Sequence, residues 1–328
     1  MKKNYSLNRC FTFVIVLSIS SLISAQDFNI QHIESDIGNA SSTSETITAV
    51  ASLNNAFALP TNNRKTHAGL SATGSTNLDG RDLAGARRLT STNEITYYRD
   101  ANSLATDMKF NTSIWEYIGP TGGPNEMIVR GRYTVALDDA TYSTTINLAA
   151  IGIITPANCI PFITGIMNDA AVDDAHSGTA LAYLSNNETL SVFKGGTNDN
   201  EVTVYITLVE FTGSNWTVLH GDSGTTASES GTITLNDNAN GTSGTTIGAA
   251  SWDEAIIFGQ HIGDTAPTGG NMAIADNWPL FSANADTSIV DWSFNSNHAS
   301  FGRHFVHVLS NSDLNVTRYS DNTSNSSA

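Results

Sequence analysis

The alternation of apolar and polar positions is clearest between residues 201 and 218. Aliphatic side chains at every second position alternate there with threonine and tyrosine, at Val202, Val204, Ile206 and Leu208. This two-residue period is typical of a half-buried strand. Residues 212–215 (TGSN) interrupt the pattern, and apolar positions resume at Trp216. The segment therefore predicts two strands joined as a β-hairpin.

Related patterns recur at fixed distances along the chain. A shift of 94 positions brings Glu116 and its neighbours onto Glu210, and a further shift of 98 positions brings Glu210 onto Val308. Several matches at one shift indicate duplication of a module. We predict three tandem units at 45–124, 125–222 and 223–321. A polar linker at 26–44 precedes them, with one added strand around residues 28–30 as an alternative, and a disordered polar tail at 322–328 follows.

The middle unit indicates the fold class. Seven short strands separated by turn residues are predicted in it, including 127–137 and 189–194, and a helical period of 3.6 residues is not sustained anywhere along the chain. Seven strands in about 95 residues are typical of an antiparallel β-sandwich, either immunoglobulin-like or a small jelly roll. The predicted fold class is therefore all-β, with three tandem β-sandwich units.

The first 25 residues have the features of a secretory signal peptide. Lys2, Lys3 and Arg9 precede an apolar run from Phe11 to Ile23, and Ser24-Ala25 offers a small-residue cleavage point. We therefore predict a secreted protein, extracellular or at the cell surface, with no membrane insertion once this segment is removed.

Charge narrows the choice of partners. Without those three basic residues the chain has 12 Lys plus Arg against 31 Asp plus Glu, a formal charge of −19. Nucleic acid and anionic membrane surfaces are therefore poor partners.

Cysteine usage excludes an internal disulfide after processing. Cys159 is then the one cysteine left, so each unit must rely on a hydrophobic core. Its apolar neighbours Ile160 and Phe162 favour a buried, inert thiol over an intermolecular bridge or a catalytic nucleophile.

Two glutamates occupy matching places in the first two units. Glu116 and Glu210 form a potential acid–base pair, although they belong to different units. The alternative is that each carboxylate lies at the end of a strand, where it caps a turn or reaches water. We favour this alternative because nothing in the sequence fixes the distance between the two side chains.

The densest acidic loop is a candidate Ca²⁺ site. Asp169, Asp173 and Asp174 supply carboxylate oxygens, whereas Ca²⁺ takes six to eight oxygen ligands. A solvated turn explains the same residues, and no other cofactor is predicted. His304 and His307 lie three positions apart on a predicted strand, so they face opposite sides and cannot share a metal ion.

The third unit is rich in tryptophan. Exposed aromatic rings stack against the apolar faces of sugars. Trp292 shares a strand face with Val290 and is expected in the core, whereas Trp278 lies in a loop beside Pro279. The candidate ligand-binding residues are Trp278, Trp252 and His298.

These observations leave three functional classes open. The favoured class is a non-enzymatic surface protein that adheres to a glycan or to another surface protein. The second is a structural subunit that self-associates into an extracellular filament, matrix or virion-like shell. A polysaccharide-acting enzyme ranks last, because no constellation of acid, base or metal ligands stands out in the sequence.

Overall fold

The computed structural model describes residues 27–317, except for 38–39, 66–84, 100–107, 139, 152–154, 169–178, 196–200, 264–278 and 294–301. The described residues form eighteen strands and a few short 3-10 turns, with no α-helix among them. The all-β prediction is therefore confirmed. The predicted signal peptide and polar tail lie outside the described residues.

The strands fall into three sets of six, and in each set the first, third and sixth strands are longer than the second, fourth and fifth. Set 1 comprises β1 (Phe28–Asp36), β2 (Ser42–Thr46), β3 (Ala56–Lys65), β4 (Gly85–Ser91), β5 (Glu94–Arg99) and β6 (Met108–Tyr117). Set 2 comprises β7 (Met127–Leu137), β8 (Ser143–Asn147), β9 (Cys159–Asn168), β10 (Ala180–Asn186), β11 (Thr189–Lys194) and β12 (Val202–Phe211). Set 3 comprises β13 (Trp216–Thr226), β14 (Ser230–Thr234), β15 (Ala255–Gly263), β16 (Leu280–Ala283), β17 (Ile289–Ser293) and β18 (Gly302–Asn311).

Strand pairing repeats from set to set. The first, sixth and third strands pair in that order, as β1-β6-β3, β7-β12-β9 and β13-β18-β15. The second, fifth and fourth strands form the other layer, as β2-β5-β4, β8-β11-β10 and β14-β17-β16. An apolar core separates the two layers of each set. Its members include Ile114 in set 1, Leu208 in set 2 and Val308 in set 3.

The sheets continue across the boundaries between sets. Ala86 of β4 pairs with Gly165 of β9, and Ala180 of β10 pairs with His261 of β15. The described strands therefore form four antiparallel sheets, two of six strands and two of three. The prediction of three separate sandwich units is wrong for this reason: the third strands of sets 2 and 3 pair with the preceding set.

All three sets contribute to one shared core. It includes Phe57 from set 1, Phe162 and Phe211 from set 2, and Leu309 from set 3, with Phe258 packed against it. The ring of Phe162 lies 5.0 Å from that of Phe57 and 4.9 Å from that of Phe258, measured between ring centroids. The sets are thus arranged around a common apolar centre, which a chain of independent domains would lack.

The predicted hairpin between residues 201 and 218 is absent. Strand β12 pairs with β7 on one edge and with β9 on the other, whereas β13 pairs with β18. Residues 212–215 therefore connect two different sheets. Both edges of β12 are already occupied, which prevents the next strand along the chain from pairing with it.

Residues 26–44, predicted as a linker with an added strand around 28–30 as the alternative, contain β1, which begins at Phe28, and the start of β2. Phe28 and Ile30 lie on one face of β1, and the many polar residues of this segment obscure that short alternation. The predicted domain limits at 45–124, 125–222 and 223–321 stay predictions.

Candidate functional site

The candidate site is a cleft between set 1 and set 3. Its volume is about 500 Å³, within the range of about 300–1,000 Å³ of small-molecule sites. One wall is the outer face of the β1-β6-β3 sheet, and the other is the first half of β15. Apolar side chains dominate both walls, among them Ile30, Leu59, Trp115, Ile256 and Phe258, and Phe162 of β9 in set 2 also lines the cleft.

Strand register identifies the matching positions of the three sets. The residue opposite the start of the third strand is Glu116 in β6, Glu210 in β12 and Ser310 in β18. The expectation that Val308 matches Glu210 is therefore wrong. Pairing with Ala255 places Ser310 at the position that matches Glu210. The number of positions between matching residues of sets 2 and 3 is therefore larger than the 98 inferred from the sequence.

The residue three positions earlier on each sixth strand pairs with a basic or imidazole residue on the first strand of the same set. Opposite Ser113, Thr207 and His307 lie His32, Arg132 and His220, respectively. We call His32, Arg132 and His220 the seam residues. A seam is the contact between the first strand of one set and the 3-10 turn of the preceding set.

Two of the three seams are closed by their seam residues. Arg132 Nη2 donates to the carbonyl oxygens of Leu53 and Ala56, at 2.7 Å each. His220 Nε2 lies 3.2 Å from the carbonyl oxygen of Ala157. These carbonyls belong to or follow the 3-10 turns of the preceding sets, Leu53–Asn55 and Pro156–Asn158. Set 2 is thereby fastened to set 1, and set 3 to set 2.

The third seam, where set 1 would meet the turn of set 3, remains open. His32 is exposed. Ile30 is 44% exposed, whereas Val129 and Val218, at the matching positions of sets 2 and 3, are each 6% exposed. The cleft is thus the open counterpart, at set 1, of the two seams that are closed at sets 2 and 3.

The segment after β18 explains why this seam does not close in the same way. The 3-10 turn of set 3 spans Trp252–Glu254, and its middle residue Asp253 corresponds to Ala157. The carbonyl oxygen of Asp253 accepts from the backbone N–H of Val316 at 2.8 Å. The carbonyl that corresponds to the partner of His220 is therefore already engaged.

A cross-strand hydrogen bond orients His32 at the mouth of the cleft. The hydroxyl oxygen of Ser113 lies 2.8 Å from His32 Nδ1. Ser113 is only 4% exposed, and its hydroxyl group makes this hydrogen bond to His32. A buried hydroxyl needs an acceptor. We therefore assign the Ser113 hydroxyl as the donor to Nδ1, which places the imidazole proton on Nε2.

Gln260 lines the cleft but has both ends of its amide engaged. Its Nε2 donates to the carbonyl oxygen of Pro161 at 2.9 Å, and its Oε1 accepts from the N–H of Ala182 at 2.7 Å. The side chain therefore ties β15 to set 2 and contributes to the rigidity of the cleft wall.

The two matching glutamates are buried caps. Glu116 accepts from the N–H of Ala51 at 2.5 Å, and Glu210 accepts from the N–H of Thr155 at 2.8 Å. The other oxygen of Glu210 pairs with the Arg130 guanidinium. Each carboxylate holds the backbone just before a 3-10 turn, as the turn-capping interpretation expects, and neither faces the cleft.

Four buried histidines form two pairs on neighbouring strands. His220 Nδ1 lies 2.9 Å from His307 Nδ1, and His261 Nδ1 lies 3.0 Å from His304 Nδ1. His304 and His307 thus have different partners on opposite sides of β18. Among the described residues, no three His, Cys, Asp or Glu side chains are grouped as a metal site.

Burial keeps three of these imidazoles, His220, His304 and His307, uncharged at neutral pH. It lowers the pKa of His220 and that of His304 to about 4 each. The pKa of His307 falls well below its usual value, through burial and the neighbouring His220. These histidines are therefore core residues that resist protonation.

Of the predicted site residues, one can be placed. Trp252 is half-buried against the set 3 core, and its Nε1 donates to the carbonyl oxygen of Asn284 at 2.7 Å. It is therefore part of the framework of set 3 and does not line the cleft. The other ligand and Ca²⁺ candidates lie outside the described residues and stay predictions: Trp278, His298, Asp169, Asp173 and Asp174.

Two further residues occupy the places expected of them. Trp292 is 3% exposed and lies in the core, with its ring centroid 4.0 Å from that of His304. Cys159 is fully buried and free, and burial raises the pKa of its thiol. A reactive thiolate is disfavoured at this position.

Sequence reasoning did not identify the residues of the cleft. Ile30, His32, Trp115 and Phe258 are separated by up to 228 positions and share no motif. The alternation along β1 places Ile30 and His32 on one face, but it gives no sign that a strand of another set lies opposite.

Comparison of the chain with protein-family models, curated proteins and solved structures found no match. Within the described residues, no helix has the length and apolarity needed to cross a membrane.

Proposed function

We propose that this protein is an exported, non-enzymatic binding protein that holds a neutral carbohydrate in the cleft. The observation that carries the proposal is the open third seam. There Ile30 is 44% exposed, whereas its counterparts in the closed seams are 6% exposed. In two seams the chain fills this recess with its own side chains, and in the third seam the recess stays accessible.

The walls of the cleft suit a molecule with one apolar face. Trp115 and Phe258 are half-buried and line the recess, while His32 and Ser113 place polar atoms at one side. A sugar ring combines an apolar C–H face with a polar rim, which is the complement of such a wall. The formal charge of −16 favours a neutral ligand over an anionic one.

A binding role also agrees with the state of the reactive side chains. Glu116 and Glu210 are engaged with backbone N–H groups, and the Cys159 thiol is buried. The predicted signal peptide at residues 1–25 supports an extracellular or cell-surface location, where glycans are common ligands.

Self-association into a structural assembly is the second candidate. Strand β16 pairs with β17 along one edge and lies at the end of its sheet, and Leu280 on it is 69% exposed. Free strand edges pair readily with other chains. Sedimentation velocity of the wild type and of Leu280→Lys tests this role, which requires an oligomer in the wild type and its loss in the variant.

A glycan array followed by titration calorimetry tests the carbohydrate proposal. Ile30→Ala removes an exposed side chain from the cleft wall and is expected to weaken binding of an array hit about tenfold. The matched control is Ile118→Ala, because Ile118 is 51% exposed and lies outside the cleft lining. The absence of any sugar ligand, or equal affinity of Ile30→Ala and wild type, would contradict the proposal.

A further inference from the structure

The three seam residues occupy one structural position, but only two of them have a partner in another set. Arg132 and His220 each meet backbone carbonyl oxygen of the preceding set. His32 is the third copy, and the Asp253 carbonyl that corresponds to the partner of His220 is bonded to Val316. In the two closed seams the residue at this position therefore contacts a peptide carbonyl. In the cleft, set 3 provides no such carbonyl to His32.

We propose that the cleft selects sugars that carry an acetamido group, whose carbonyl oxygen accepts a hydrogen bond from His32 Nε2. This inference rests on the proposed carbohydrate-binding function and specifies its ligand. An acetamido group offers the same carbonyl that the two closed seams bind, attached to a sugar ring that suits the apolar walls.

The hydrogen bond between Ser113 and His32 supports this assignment. With its hydroxyl donating to Nδ1, the imidazole has its proton on Nε2. Nε2 is then a donor, which is hydrated in the free protein because His32 is exposed and which a ligand acceptor can bind in the complex. An amide carbonyl is a pure acceptor, whereas a sugar hydroxyl is both donor and acceptor and gives less discrimination.

The apolar part of an acetamido group also finds a matching surface. Ile30 lies opposite Trp115 across the β1–β6 pair, next to His32 on the same face of β1. Phe258 lines the facing wall. A carbonyl bonded to His32 would therefore place its methyl group near apolar side chains, as a site for a small amphipathic ligand requires.

The test compares two trisaccharides that differ only in the substituent on carbon 2. Titration calorimetry with the trimer of β-1,4-linked N-acetylglucosamine and with the trimer of β-1,4-linked glucose isolates the acetamido contribution. We expect the acetylated trimer to bind the wild type at least tenfold more tightly. His32→Ala should abolish the preference, so that both trimers bind the variant with affinities within about twofold of each other.

His32→Gln provides the matched variant, because its side-chain amide restores an N–H donor. We expect it to recover part of the preference for the acetylated trimer. Thermal midpoints show that both variants fold, and that of His32→Ala should fall slightly because the buried Ser113 hydroxyl loses its acceptor. A preference that survives His32→Ala unchanged would overturn the assignment to this residue.

The remaining outcomes separate this inference from the proposed function. Equal affinity for both trimers would overturn the acetamido assignment and leave carbohydrate binding intact. Failure of both trimers and of every arrayed glycan would overturn the proposed function as well. Stronger displacement by an acetyl-capped dipeptide amide than by the acetylated trimer would assign the carbonyl to a peptide and reject the sugar.

Discussion

At the scale of single residues, the buried polar groups outside the cleft hold the strands and turns together. Glu210 bonds the N–H of Thr155 and pairs with Arg130, although it is 4% exposed. Sequence analysis located this carboxylate and its match Glu116, and it favoured the capping role. It could not name the partners, because Thr155 lies 55 positions away from Glu210.

Glu210→Ala should therefore destabilise the protein strongly. The change leaves the Arg130 guanidinium and the Thr155 N–H without their acceptor, at a cost of about 3 kcal/mol. Urea unfolding followed by circular dichroism measures the loss. Glu229→Ala is the control, because Glu229 is exposed and its removal should change the free energy of unfolding by less than about 0.5 kcal/mol. Equal losses in the two variants would refute the capping role.

The buried histidines predict acid sensitivity. Burial lowers the pKa of His220 and of His304 from 6.5 to about 4. Between these values the unfolded chain binds more protons than the folded one, so stability present above pH 6.5 is lost as the pH falls. Each of these histidines contributes a slope of about 1.4 kcal/mol per pH unit.

Urea midpoints between pH 7 and pH 5.5 measure this dependence. His307→Thr copies the residue found at the matching position 207 and removes one of the buried groups, so we expect a shallower fall in stability. A stability that is constant or rises on acidification would show that the pairs are not held neutral in the folded state.

At the scale of elements, alternation along the chain predicts strands far better than their partners. The expected strands 127–137 and 189–194 coincide with β7 and β11. Alternation reveals which face of a strand is buried, but pairing depends on the edges. The hairpin predicted after β12 failed for that reason, since β7 and β9 already occupy both of its edges.

The junction between sets 1 and 2 depends on a glycine. A Cβ at Gly165 would lie 2.1 Å from the Cα of Ala86, at the point where β4 pairs with β9. Backbone cannot move aside as a side chain can, so Gly165→Ala should cost about 3 kcal/mol or more of stability.

Thermal unfolding compares this change with Gly131→Ala. The three atoms nearest to a Cβ at Gly131, in the strand β7, all belong to the side chain of Tyr133, which can shift. We expect a lower midpoint for Gly165→Ala than for the control. Equal midpoints would mean that the close approach of β4 and β9 is not required.

At the scale of the whole molecule, the three sets also meet in a polar network. Asn125, which precedes β7, donates to Asp27 before β1 at 2.9 Å and to Asp313 after β18 at 3.0 Å. Its side-chain oxygen accepts from Asn215, which precedes β13, at 3.0 Å. Segments from the beginning, middle and end of the described chain converge there, so the sets surround a common centre although one seam is open.

The sequence indicated this threefold repetition but not its geometry. Matching patterns can be detected along one chain, whereas the open seam results from the way the sets face one another. The cleft therefore belongs to the whole molecule, and no set contains it alone.

Thiol labelling at three matching positions tests this account most directly. In a Cys10→Ser, Cys159→Ala background, which removes both cysteines of the sequence, the variants Ile30→Cys, Val129→Cys and Val218→Cys place one thiol in each seam. We predict that the thiol at 30 reacts with a soluble reagent almost as fast as in the unfolded chain, and that those at 129 and 218 react at least a hundredfold more slowly. Equal rates at all three positions, whether fast or slow, would contradict the claim that two seams are closed and one is open.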